Sequence, residues 1–249
     1  MESILCAGLA NTSQLEGHMI DEIKAVLEGV FREVRYFQKE LLEEAETDDR
    51  IEELFRGIQV LYSPVTVRPE VLIIGLNPGS GHFTHEGELV DKVMPLQEHE
   101  YFQIDATLAN ETREVFASIG ETETLKKSVK TNYYYIATDS ASTLSQLFRV
   151  LPNDLKQLVH KDAFKWTQRL VGAINPRVIL CEGFMAFDLV SRAVSVENSE
   201  KNFGTNLKEI IGTNRTILGY RRVYSNITDK GGLAVALKGS LENCRKSNS

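Results

Sequence analysis

The sequence predicts a three-layer α/β/α domain with a mainly parallel central sheet about four strands wide and a helical hairpin at its N-terminus. Two patterns carry this expectation. Aliphatic runs at residues 71–74 and 178–181, each soon followed by glycine, read as parallel strands covered on both faces. Around them, segments with apolar residues three and four apart read as amphipathic helices, so strands and helices alternate along the chain.

Residues 14–46 are the first helix, in which Ile20, Ile23, Leu27, Val30, Val34, Phe37 and Leu41 form one apolar seam. Thr47-Asp48-Asp49 can cap a second helix whose Ile51, Leu54, Phe55 and Ile58 again share a side. The seam lasts only about three heptads, short for a coiled coil. The expected arrangement is therefore a hairpin (residues 1–62) folded against the main domain (63–249), in a monomer. Strand one, 71–74, opens into a loop containing Gly75, Asn77, Pro78, Gly79 and Gly81. Residues 82–103 make a long connection with little periodicity, a length that inside a compact domain marks a functional or mobile segment.

A short helix is expected at 111–118, a second strand at 131–136, and a helix from Asp139 or Ser140 to Val150. The most regular helix, 154–174, stops at Asn175-Pro176-Arg177, where the third strand begins. Glu182-Gly183 turns the chain into a helix at 184–193. Residues 195–206 are polar and expected to be exposed, and 207–218 to form a hairpin around Gly212-Thr213-Asn214. The last strand is expected at 221–225 and the final helix at 233–241.

Composition narrows the function classes. No apolar run among the 249 residues approaches the roughly 20 needed to span a bilayer. The start has an acidic second residue and no basic leader, so neither a signal peptide nor a membrane span is expected, and the location is cytoplasmic (nuclear in a eukaryote). Cys6, Cys181 and Cys244 are scattered and read as free thiols. The net charge of −7 is unevenly spread: residues 1–62 hold 6 basic and 14 acidic residues, the remainder 22 and 21. A near-neutral body permits DNA as a partner without displaying a basic stripe.

The Gly75–Gly81 loop lies where α/β sheets bind ligands, beyond the carboxyl end of a buried strand. It is not a P-loop, because His82 and Phe83 stand where Lys and Ser/Thr would be required, and it lacks the third glycine of a dinucleotide fingerprint. His82, His85, Glu86 and His99 offer zinc-type ligands in the long connection, but without His-Glu-x-x-His spacing; no metal and no cofactor is expected.

Gly75-Leu76-Asn77-Pro78-Gly79 resembles the first motif of the uracil-DNA glycosylase superfamily, closest to the form in its mismatch-specific and single-strand-selective branches. Thr131-Asn132 looks like the family's base-reading strand. The segment 174–180, with Gly183 and Ala186, looks like its Pro-initiated third element. The fourth departs: Tyr224-Ser225-Asn226 stands where His-Pro-Ser is expected, and no histidine follows His160. The three cysteines also separate the chain from cluster-bearing members, which need four ligands.

The resemblance implies N-glycosidic hydrolysis of uracil or a related damaged base in single-stranded or mismatched DNA. Asn77 would hold a water against C1′, Asn132 would read the pyrimidine edge, and Phe83 or Phe102 would stack on the extruded ring. Gly75, Pro78 and Gly79 would shape the first-motif loop, and Ser225 and Asn226 would occupy the final-motif position. The alternative is a weak or inactive glycosylase-like domain that binds nucleic acid, a nucleotide or a protein. In the bland reading of the residues alone, Asn77 is a turn residue bonded to its own backbone and Asn132 a strand-end residue bonded to a neighbouring loop.

Overall fold

A computed structural model describes residues 2–79, 90–92 and 96–246, with side chains described from Asp21 onward apart from those of 90–92. Helix α1 (Glu2–Ala45) is a single rod. From Ile23 to Leu41 its seam is buried: Ile23, Leu27, Val30, Val34, Phe37 and Leu41 all enter the main core. They pack on α6 (Asn153–Ile174), where the Phe37 and Trp166 rings lie 6.1 Å apart. The Trp166 indole donates to Glu33 at 2.9 Å, and Arg169 pairs with the same carboxylate at 2.6 Å. Each large apolar side chain so buried contributes roughly 1.5–3 kcal/mol.

The second helical arm is short. Helix α2 (Asp49–Leu54) is capped by Asp48, whose side chain accepts from the Arg50 amide at 3.0 Å. It ends before Phe55, and Ile58, expected to lie in this helix, belongs instead to strand β1 (Gly57–Gln59). Gly57 sits at φ 133°, which no helix accommodates. Strand β1 pairs parallel with β3 (Val90–Lys92) and antiparallel with β5 (Ile136–Ala137) in a small second sheet.

The main sheet contains β2 (Val71–Gly75), β4 (Val129–Asn132), β6 (Val178–Cys181), β7 (Glu200–Phe203), β8 (Leu207–Ile211) and β9 (Thr216–Tyr220). Its order is β4-β2-β6-β9-β8-β7; the first four strands are parallel, and β8 and β7 return antiparallel. The sheet thus exceeds the expected width by an antiparallel pair. The polar segment 195–206 is exposed as expected, yet its residues 200–203 form the edge strand, where charged Glu200 and Lys201 blunt further pairing.

Two strand expectations are corrected. The last parallel strand is β9, the second arm of the 207–218 hairpin, rather than 221–225. Residues 222–227 instead form a small hairpin of β10 (Arg222–Val223) and β11 (Asn226–Ile227). The second strand ends at Asn132, and residues 133–135 lead from the main sheet into β5 of the smaller one.

Both faces of the parallel strands are covered. Leu72, Ile74, Ile179, Cys181 and Ile217 join the core beneath α1, α5 (Ala141–Val150), α6 and α7 (Phe184–Ala193). Val71, Ile73, Val178, Leu180 and Leu218 join the core beneath α3 (Thr107–Ser118), α4 (Thr122–Lys126) and α8 (Lys230–Lys246). Alternate residues of each strand facing opposite layers is what an unbroken aliphatic run demands. No helix among the described residues is long and apolar enough to cross a membrane.

Candidate functional site

A cleft of about 760 Å³ opens at the carboxyl ends of β2, β4, β6 and β9. Gly75 through Gly79 form one wall, Asn132 and Glu182 reach in from the neighbouring strand ends, and Arg222, Tyr224 and Ser225 stand at the β10–β11 rim. The pairing of Gly75 with Asn132 puts the first-motif loop beside the end of β4. A methyl group on Gly75 would lie 2.2 Å from Asn132 Oδ1 and 3.0 Å from Glu182 Oε2, so only glycine lets these side chains close over the strand.

The Asn77 amide is pinned. Its Nδ2 donates to the Pro78 carbonyl and to Thr138 Oγ1, both at 2.9 Å, and Thr138 Oγ1 donates onward to the Ser140 carbonyl at 2.8 Å. Asn77 Oδ1 accepts no hydrogen bond found among the described residues. Asn132 is 3% exposed, and its Nδ2 is buried without a hydrogen-bond partner among the described residues. An orphaned buried donor costs about 1–3 kcal/mol, a cost that a ligand acceptor removes.

Beside the asparagines lies a buried charged cluster that the sequence reading did not single out. Lys130 Nζ reaches Glu100 at 2.8 Å and Glu182 at 3.8 Å, and lies 4.8 Å and 4.9 Å from the ring centres of Tyr62 and Tyr101. The Tyr101 hydroxyl donates to Glu182 Oε1. Burial pushes the Glu182 carboxyl up to about 8; the Arg222 guanidinium pulls the other way and the Glu100 charge adds to the rise. Burial thus favours the protonated form of Glu182, against the pull of Arg222 and of Lys130 at 3.8 Å.

The remaining expected site residues fall unevenly. Gly75, Pro78, Gly79 and Ser225 line the cleft, whereas Asn226 pairs with Val223 in the hairpin and is not part of the lining. Phe83 lies outside the described residues, as do His82, His85 and Glu86. Phe102 is also outside the lining; it packs against the His99 ring, and Lys126 Nζ sits 5.9 Å from its ring centre. His99 accepts from the Tyr101 amide through Nδ1 at 3.2 Å and contacts Ser128 through Nε2 at 3.0 Å, so both ring nitrogens are occupied. Burial, helped by the Lys130 charge and opposed by Glu100, lowers its pKa to about 4, so this imidazole is neutral. Among the described residues no cluster of histidine, cysteine and carboxylate side chains could hold a metal ion.

One signal for Glu182 was present: a carboxylate at the end of the aliphatic run 178–181, immediately before a glycine. No protein-family model matches the chain, and no curated protein matches it.

Proposed function

We propose that the chain is a DNA glycosylase that hydrolyses the N-glycosidic bond of uracil or a related damaged base in single-stranded or mismatched DNA. The observation that supports this best is the convergence of Asn77 and Asn132 on one cleft, with the buried Asn132 amide donor lacking a partner among the described residues. A pyrimidine carbonyl would satisfy that donor, and the amide oxygen of the same side chain can accept from the ring N–H. The cleft falls in the size range of small-molecule sites, large enough for an extruded nucleotide.

In this mechanism the bond from C1′ to the base nitrogen breaks and its electron pair leaves with the base. Glu182 gives its proton to the departing base, filling the role for which the cleft has no free imidazole among its described lining. Asn77 Oδ1 orients a water whose oxygen bonds to C1′. That water loses a proton to solvent, and solvent reprotonates Glu182. An amide is a poor base, but positioning suffices once the sugar is cationic.

Single-turnover release of uracil from single-stranded and mismatched oligonucleotides tests the proposal. Wild type releases the base, and Asn77→Ala slows release by on the order of 100- to 1,000-fold. A second reading, binding without cleavage, draws on the Asn77 amide being bonded to its own loop. It predicts retention of uracil-containing strands with no release by either protein.

A further inference from the structure

The opposite edge of the sheet carries a second built feature. Arg68 precedes β2, Arg177 immediately precedes β6, and Arg215 immediately precedes β9. These strands are neighbours, and Val71, Val178 and Thr216 are aligned across them. Parallel register therefore gathers three arginines at one amino edge, where they line a pocket of about 670 Å³ with Asn175, Thr213 and Thr216. Among the described residues that line it there is no carboxylate.

None of the three arginines forms a salt bridge among the described residues, unlike nearby Arg245, which Glu70 and Glu121 neutralise at 2.7 Å. Arg215 Nη2 donates to Asn175 Oδ1 at 3.3 Å, while its Nε is buried with no hydrogen-bond partner among the described residues. Arg177 donates to the Cys244 carbonyl, and Glu197 acts on Arg215 only through space. Burial opposes the Arg215 charge. Asn175, at φ 50°, is the left-handed C-cap that ends α6 and so sits fixed beside the arginines.

We propose that this amino-edge pocket binds the phosphate group of a phosphorylated small molecule. Guanidinium forks match phosphate oxygens in pairs, and hydroxyl and amide groups beside them supply the remaining donors. The volume exceeds that of a bare phosphate and leaves room for an attached organic group. The site is separate from the carboxyl-edge cleft, and the proposal does not depend on glycosylase chemistry.

Calorimetric titration of the full chain with inorganic pyrophosphate is the test. Saturable binding is expected, weakened at least about tenfold in Arg215→Gln and Arg177→Gln. It should be unchanged in Arg149→Gln, which removes an exposed arginine on α5. Arg68 is exposed, so Arg68→Gln keeps the test available if a substitution at Arg177 or Arg215 disturbs folding. A nucleoside diphosphate and a 5′-phosphorylated oligonucleotide, added separately, distinguish a small-molecule source from a strand end; tighter binding of the oligonucleotide would overturn the small-molecule assignment. No saturable pyrophosphate binding by the folded wild type, or binding indifferent to all three substitutions, would overturn the site itself.

Discussion

Glu182 carries the sharpest residue-scale consequence. Its carboxyl is raised from an ordinary 4.5 to about 8, so the native state holds the proton more tightly than the unfolded chain does. The resulting contribution to stability is fully present below pH 4.5 and is lost as pH rises to about 8. In Glu182→Gln that pH dependence should disappear from thermal unfolding curves recorded between those values. Base release should show the same group from the other side. On the proposed chemistry, wild-type turnover should fall as pH passes about 8, as the acid loses its proton, while the glutamine variant should be slow and flat through that range. An unaltered alkaline limb in Glu182→Gln would remove the residue from the chemistry. Asn132 adds a complementary signature, since its amide donor, without a partner among the described residues, is a cost that a bound carbonyl offsets.

At the scale of elements, α1 is held by a few contacts that can be cut. Phe37→Ala removes a ring packed on Trp166 and should lower unfolding stability by about 3–5 kcal/mol in denaturant titration. A change below 1 kcal/mol would mean that α1 contributes little to the core. That helix was legible because its seam repeats over many turns, as were β2 and β6, whose aliphatic runs leave no solvated face. Other elements hid for physical reasons. Ile58 fits a helical seam, but Gly57 breaks it by taking a backbone conformation unavailable to the helix. Residues 221–225 carry strand-forming Val223 and Tyr224, yet the sheet position was already taken by β9, leaving them to form the rim hairpin.

The site was half legible. Asn77 and Asn132 announce themselves beside turn residues and at a strand end, whereas Lys130, Glu100, Tyr101 and Glu182 acquire meaning only through each other. The Tyr101–Glu182 bond joins residues 81 positions apart, a pairing no local pattern encodes.

At the scale of the whole molecule, one parallel sheet presents two chemically different edges. Its carboxyl edge gathers amides and a protonated acid around a cleft, and its amino edge gathers arginines around a smaller pocket. The acidic excess of residues 1–62 lies in the segment that contains α1 and α2, so the net charge of −7 says little about either site. On the proposed function, the cleft at the carboxyl edge takes a pyrimidine through Asn132. The most direct test is the NMR signal of the Asn132 side-chain amide, assigned by substitution. The protein would be titrated with a single strand carrying a deoxyuridine analogue whose glycosidic bond resists hydrolysis. A downfield shift of the amide protons is expected as a carbonyl takes that donor, absent with the matched thymidine-free, uracil-free strand. Saturable binding of the analogue strand with that signal unmoved would contradict it.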